Sequence, residues 1–444
     1  MIDLSGIVHV VAALLLLLVA ARVVGQVFDF IRQPRVIGEI IGGLLLGPTV
    51  LGWFAPDAMS WLLPKTGLVS TILPIVSQIG LVLLMYASGT QLRPFAAAGE
   101  KKVVAALSLA GTLLPLLAGL AYVRFADTSD LLGTSQNSTA LMLVFATAIA
   151  IASIPVISRI MLDLGIMETS FARIVIATAV IDDLVLYMVL AVALSMVATG
   201  GSAHGLAAVL AIDPASHWSA IVHVLATAGV ITVTLLAGPV FWRAVASRAQ
   251  RLLHADSGII AHVVFLAIVS GGCLLLDVNP MFGALVGGMV AGQALRRSGS
   301  TLPKSLERAS LKFFVPLYFA LVGAKLDLIH HFDAAYFVLF LAFACIVKAL
   351  SIYAGARASG EPHSAALNLA VALNARGGPG IVLAAVSFDA GIINENFYAI
   401  LVLTAIVTSL AAGSWLGHVV RRGLPLRNQA PEWKPAESVV PTNQ

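Results

Sequence analysis

The chain has 444 residues, 59% of them hydrophobic and 11% charged, with a mean hydropathy of +0.98. The apolar share lies far above that of a soluble domain and the charged share far below it, which excludes a water-soluble globular protein and implies an integral membrane protein. The net charge of +4 follows from the placement of basic residues described next and gives no reason to propose a nucleic-acid partner.

A spanning helix needs about 20 mostly apolar residues. Such runs, taken in chain order, predict an all-α polytopic protein with thirteen transmembrane helices, near residues 6–27, 36–52, 69–90, 103–124, 138–163, 170–199, 218–242, 257–276, 281–295, 310–325, 333–355, 363–388 and 396–419. Helix 1 carries no leading Lys or Arg and no small-residue cleavage site follows it, so it reads as a retained span rather than a signal peptide. With helix 1 entering from outside, Arg93, Lys101, Lys102, Arg243, Arg248, Arg251, Arg296, Arg297, Lys304 and Arg308 all fall in loops on one side. That positive-inside pattern predicts a multi-pass protein of the plasma (bacterial inner) membrane with its N-terminus outside and its C-terminus in the cytoplasm. Cys273 and Cys345 lie in separate predicted helices and read as free thiols, so no disulfide is expected, and nothing in the sequence calls for a cofactor.

Helix 2 reads GEIIGGLLLG from Gly38 and helix 9 reads GALVGGMVAG from Gly283, both with the pattern G-x3-G-G-x3-G. Helix 3 ends ASGTQL and helix 10 ends LVGAKL, each with Gly three residues before Leu. Helix 5 carries Pro155 and helix 12 carries Pro379. These pairs are the second, third and fifth members of two six-helix blocks, helices 1 to 6 and 8 to 13, joined by helix 7. An odd number of helices separates each partner from its mate, so the blocks cross the membrane in opposite senses: an inverted repeat, the architecture of secondary transporters.

A proline inside a span removes a backbone hydrogen bond and frees a carbonyl that must find a partner or line a wet cavity. Helix 12 has three glycines and a proline in RGGPG, Arg376 to Gly380, enough to unwind a turn. Two broken helices at matching places predict a crossing near mid-membrane, where freed carbonyls can meet a cation. On helix 6, Asp182 and Asp183 stand about twelve residues into an apolar span. Charges there are costly and mark function. Adjacent residues point about 100° apart on a helix, so one carboxylate can face a cavity while the other faces a neighbour. Lys348 in helix 11 is the cation suggested as that neighbour, and Arg376 either neutralises the half-helix ends or reaches the cytoplasmic face.

RQPRVIGEIIGGLLLGPTVLG, SIPVISRIMLDLG, IDDLVL, VGAKLDL, Lys348 and NARGGPGIVLA together resemble the monovalent cation:proton antiporters of the second, largely electrogenic family. The resemblance covers about residues 5–420 and implies exchange of a monovalent cation, foremost Na+, for protons by alternating access. It implies that Asp183 is the transient cation and proton carrier and that Asp182 pairs with Lys348. It places Ser153, Ile154, Pro155, Asn374, Arg376, Gly377, Gly378 and Pro379 at the broken-helix site. It further implies a homodimer whose helices 1–3 and 8–10 form the dimer scaffold and whose helices 4–6 and 11–13 form the mobile ion-transport core. Residues 1–420 form the transmembrane domain and 421–444 read as a short disordered cytoplasmic tail. Relatives with a Thr-Asp-Pro break carry an acidic residue where this chain has Ile154, so no third carboxylate is expected there.

Readings of other classes fit less well. An intramembrane aspartyl protease needs its two carboxylates on different helices, whereas Asp182 and Asp183 are consecutive. A cation channel needs a continuous pore. An organic-anion symporter on the same inverted-repeat fold needs a roomier polar site, and a K+/H+ antiporter differs only in the ion chosen. None of the readings is an enzyme except the protease.

Overall fold

The computed structural model describes residues 4–31, 33–91, 100–197, 217–252, 257–276, 278–297, 310–330 and 332–427. Regular structure among them is helical, apart from a single bridge between Leu132 and Ile393. In chain order the helices are α1 (Leu4–Phe30), α2 (Arg35–Leu46), α3 (Leu51–Phe54), α4 (Pro56–Leu62), α5 (Leu68–Gln91), α6 (Lys101–Ser108) and α7 (Leu114–Phe125). There follow α8 (Ser138–Ala150), α9 (Ile154–Asp163), α10 (Ser170–Ser195), α11 (His217–Leu252), α12 (Ser257–Leu275) and α13 (Pro280–Arg297). The last are α14 (Val315–Ala324), α15 (Ala334–Ala358), α16 (His363–Ala372), α17 (Gly377–Asp389) and α18 (Glu395–Arg421). A π turn, Leu109–Leu113, joins α6 to α7, and a second, Ser310–Phe314, leads into α14. Among the described residues, ten helical stretches are long and apolar enough to cross a membrane, and Ser138–Ala150 and Lys312–Ala324 are shorter apolar helices.

Local chemistry sets many of the ends. Asn137, Thr169, Asp333 and Asn394 cap α8, α10, α15 and α18, each side chain accepting a hydrogen bond from a first-turn N–H. The span expected at 36–52 closes at Leu46, because Gly47 leaves the helix in an extended conformation and Pro48 follows. The chain then makes α3 and the short α4, which the apolar pattern did not announce. The helix expected to end at 242 continues to Leu252 in α11. Hydropathy marks where a segment leaves the apolar layer, and no Gly or Pro between Arg243 and Leu252 ends the helix there.

Depth in the bundle separates the elements. In the stretch His363–Asp389, 89% of the most apolar window is buried inside the protein, against 22% in Leu4–Phe30. The chain thus places the interrupted stretch His363–Asp389 at the centre and α1 at the periphery. Tyr122, Phe145, Phe340 and Phe397 form a continuous aromatic cluster across α7, α8, α15 and α18, with ring centroids 5.0–5.5 Å apart. A second core joins Leu17 and Ala21 of α1, Leu62 of α4, Val69 and Leu73 of α5, and Leu317 of α14. Of the stretch 421–444, residues 421–425 are exposed, while Leu426 and Arg427 return to the bundle, Arg427 pairing with Glu361 at 2.6 Å and the Leu426 carbonyl accepting from Asn368. Residues 428–444 lie outside the described residues.

Candidate ion site

Two interrupted helices build the frame. α8 ends at Ala150, residues 151–153 are non-helical, and α9 begins at Ile154. Pro155 lacks the N–H that a continuous helix would return to Ile151. α16 ends at Ala372 and α17 begins at Gly377. The breaks meet: a methyl group on Gly377 would overlap the Ser153 hydroxyl and the Val156 side chain, so this crossing requires glycine. Ile154 and Pro155 lie in the first turn of α9, and Gly377, Gly378 and Pro379 in the first turn of α17.

Arg376 is the cap between the half-helices. Its guanidinium donates from Nε to the Ala148 carbonyl at 3.1 Å and from Nη2 to the Ile149 and Ala344 carbonyls at 3.2 and 2.7 Å. Nη1 donates to Asn374 Oδ1 at 2.9 Å, and Asn374 in turn donates to the Cys345 carbonyl. A cation at the C-terminal end of α8 offsets the partial negative charge of its last carbonyls. Arg376 is buried, with its guanidinium turned on the carbonyls at the end of α8. At the opposite pole, the Arg376 and Gly377 N–H groups donate to Thr408 Oγ1 and Ser409 Oγ of α18, both at 3.2 Å.

Asp182, Asp183 and Lys348 come together beside these ends. Asp182 and Lys348 are fully buried and Asp183 is 6% exposed. Lys348 Nζ donates to Asp182 Oδ2 at 3.1 Å, to the Ala150 carbonyl at 2.6 Å and to the Gly111 carbonyl at 2.7 Å. An ammonium has three donors, and all three are used. Thr112 Oγ1 donates to Asp182 Oδ1 at 2.7 Å, so both oxygens of Asp182 are taken. Asp183 Oδ1 is buried and has no hydrogen-bond partner, and neither has Ser153 Oγ. The two adjacent carboxylates therefore differ: each oxygen of Asp182 has a donor, whereas Asp183 keeps a buried acceptor with none.

Motif reading did not single out Gly111, Thr112 or Ala150. Pro115 was the available signal, since it has no N–H to return to the carbonyl four residues back, which is that of Gly111. No group of three or more His, Cys, Asp or Glu side chains able to hold a metal ion occurs among the described residues.

A polytopic helical bundle with two interrupted helices crossing beside buried ionisable groups has the plan of a secondary transporter. Residues 13–422 match the family described as sodium/hydrogen exchanger, transmembrane, and the chain belongs to that family. Among curated relatives it is 25% identical to the Na(+)/H(+) antiporter NhaS4 of Synechocystis, over 92% of this chain and 96% of that one. It is 27% identical to Cation/H(+) antiporter 18 of Arabidopsis thaliana and 24% identical to K(+)/H(+) antiporter 1 of Saccharomyces cerevisiae, in each case over 89% of this chain. The chain spans about half the length of those two relatives, 47% and 44%. The fold is similar to that of the sodium proton antiporter MjNhaP1 of Methanocaldococcus jannaschii, with a TM-score of 0.66 at 15% identity, over 94% of this chain and 99% of that one.

Proposed function

We propose that the protein is a secondary antiporter exchanging a monovalent cation, foremost Na+, for protons, with Asp183 as the shared carrier. The open, buried Asp183 Oδ1 beside an Asp182 whose two oxygens both have donors carries this reading. A proton and a cation each neutralise the same carboxylate and so exclude one another. An empty charged site is costly to move through the bilayer, which couples the two fluxes. K+ is the second reading, favoured by the K(+)/H(+) name of one relative beside the Na(+)/H(+) name of another.

The same proposal includes thirteen passes in two inverted six-helix blocks, the N-terminus outside, a homodimer on the first three helices of each block, and electrogenic exchange. Two equivalent contacts support the inverted repeat. Gly43 of α2 lies against Ala320 and Gly323 against Ile40, while Gly288 of α13 lies against Tyr86 and Gly89 against Leu285. Gly43 and Gly288 hold the same place in the two copies of G-x3-G-G-x3-G, and Gly323 and Gly89 the same place before Leu, so each block's second helix packs on the other block's third.

Proteoliposomes loaded with a pH-sensitive dye and challenged with Na+, K+ and Li+ test the function and the ion together. Asp183→Asn is expected to abolish cation-driven proton movement while its melting temperature and oligomeric state stay those of the wild type. Wild-type exchange by that variant defeats the carrier assignment.

A further inference from the structure

The site has two carboxylates side by side and uses them differently, and the device that separates them lies on a helix outside both breaks. The π turn Leu109–Leu113 widens the helix by one residue, a distortion found often at functional sites. It presents two consecutive groups to the same buried pair: the Gly111 carbonyl to Lys348 Nζ at 2.7 Å and the Thr112 hydroxyl to Asp182 Oδ1 at 2.7 Å. Thr112 is 7% exposed. Pro115 stands four residues after Gly111 and cannot close the ordinary helical bond there. The second π turn has the same build, with Pro316 four residues after Lys312, and the Lys312 carbonyl accepts from Arg22. In both places a π turn with a following proline hands a main-chain carbonyl to a cationic side chain from another helix.

Without Thr112, Asp182 Oδ1 is a buried anionic oxygen that has lost its 2.7 Å donor, next in sequence to Asp183, with Lys348 and the Ser108 hydroxyl the remaining donors beside the carboxylate. A proton or the transported cation can then neutralise that oxygen, and a cation on Asp183 can gain a second ligand one residue away. We infer that Thr112 is a positioning residue that occupies Asp182 Oδ1 and so confines the cation to Asp183. This rests on the reading of Asp183 as the ion carrier. Confinement to one carboxylate keeps binding weak enough for release, because a site that binds its ground state more tightly turns over more slowly.

Three variants of the full chain, purified and reconstituted in proteoliposomes, test it through the apparent KM and maximal rate for Na+ at one pH. Thr112→Val keeps the shape and removes the donor. Its apparent KM is expected to fall about tenfold, the equivalent of one hydrogen bond to a charged group, with the maximal rate falling as release slows. Thr112→Ser restores the hydroxyl and is expected to return both values to those of the wild type. Thr112→Ala carries the same expectation as Thr112→Val and replaces it if the valine variant does not fold. A role confined to stability lowers the melting temperature and the maximal rate and leaves KM where it was. An unchanged or raised KM in the variants that lack the hydroxyl overturns the inference, as does a serine variant that behaves like valine. Asp183→Asn, measured alongside, separates the two failures: if it abolishes exchange while Thr112→Val has the wild-type KM, the carrier reading stands and only the role of Thr112 falls.

Discussion

Gly43 and Gly323 sit where α2 and α14 touch backbone to backbone: a methyl on Gly43 would overlap the Ala320 carbonyl, and one on Gly323 the Ile40 carbonyl. With few hydrophobic gains available between helices in lipid, such close approach is a main source of helix association. Gly43→Ala and its counterpart Gly288→Ala, which would overlap the Tyr86 carbonyl, are each expected to cost about 1–3 kcal/mol or more, because rigid backbone cannot give way as a side chain does. Gly287→Ala is the control, since its new methyl would meet only Phe265 and Val269 side chains at 3.5 Å or beyond. Thermal melts in detergent should show two clear losses and one near-neutral substitution.

Lys348 reaches three acceptors on three elements: Asp182, Ala150 and Gly111. Gln has two donors on one amide nitrogen, so Lys348→Gln leaves at least one acceptor unpaired and Asp182 without its counter-charge. The expected loss is about 3–5 kcal/mol, read as early melting. Under electrogenic exchange the surviving flux should also respond less to membrane potential. A variant that melts early and stays fully potential-dependent shows that Lys348 only ties the helices together.

Arg376→Lys is expected to be a poor replacement despite the retained charge. The guanidinium serves the Ala148, Ile149 and Ala344 carbonyls and Asn374 at once, and a single ammonium has neither the fork nor the reach to do so. Unpaired buried carbonyls cost about 1–3 kcal/mol each. Amide hydrogen exchange of the peptides covering 147–153 and 374–380 should accelerate together. Fast exchange confined to one of the two places the cap elsewhere.

Asp327, in the loop after α14, is pushed up by partial burial but held below the usual carboxylate range overall, by backbone N–H groups of His330 and Ile329 and by the His330 ring. A carboxyl whose proton affinity is lower in the folded state adds stability above its unfolded value, about pH 3.9, and loses that contribution as pH falls through the folded value. Asp327→Asn should therefore melt earlier than the wild type at pH 7, and the gap should close as pH falls below about 4. A gap that is constant from pH 7 to pH 3 rules out the charge as its source.

The broad plan was legible in the sequence because membrane chemistry constrains it so tightly. Long apolar runs must be helices, since every backbone polar group needs an internal partner in lipid. The helix breaks, too, were readable at Pro155 and in RGGPG, because glycine and proline act on the backbone at their own positions. Asp182, Asp183 and Lys348 declared themselves by being ionisable in apolar runs, whereas the repeated glycines suggested two related blocks without saying which helices they would bring together. Their partners were another matter. Which oxygen of which aspartate is occupied depends on where Thr112 and Gly111 arrive, 70 residues before Asp182 and 237 before Lys348. The Ala150 carbonyl has no side-chain signature at all, and it becomes a ligand only because α8 stops there beside Lys348. Arg376 could have faced water as readily as the end of α8 on sequence grounds. Sequence alone determined which residues must seek partners, because burying a charge or breaking a helix is costly wherever it happens. Only the tertiary structure decided which partners they found, because hydrogen bonds are directional and act over about 3 Å, a distance that chain order does not encode.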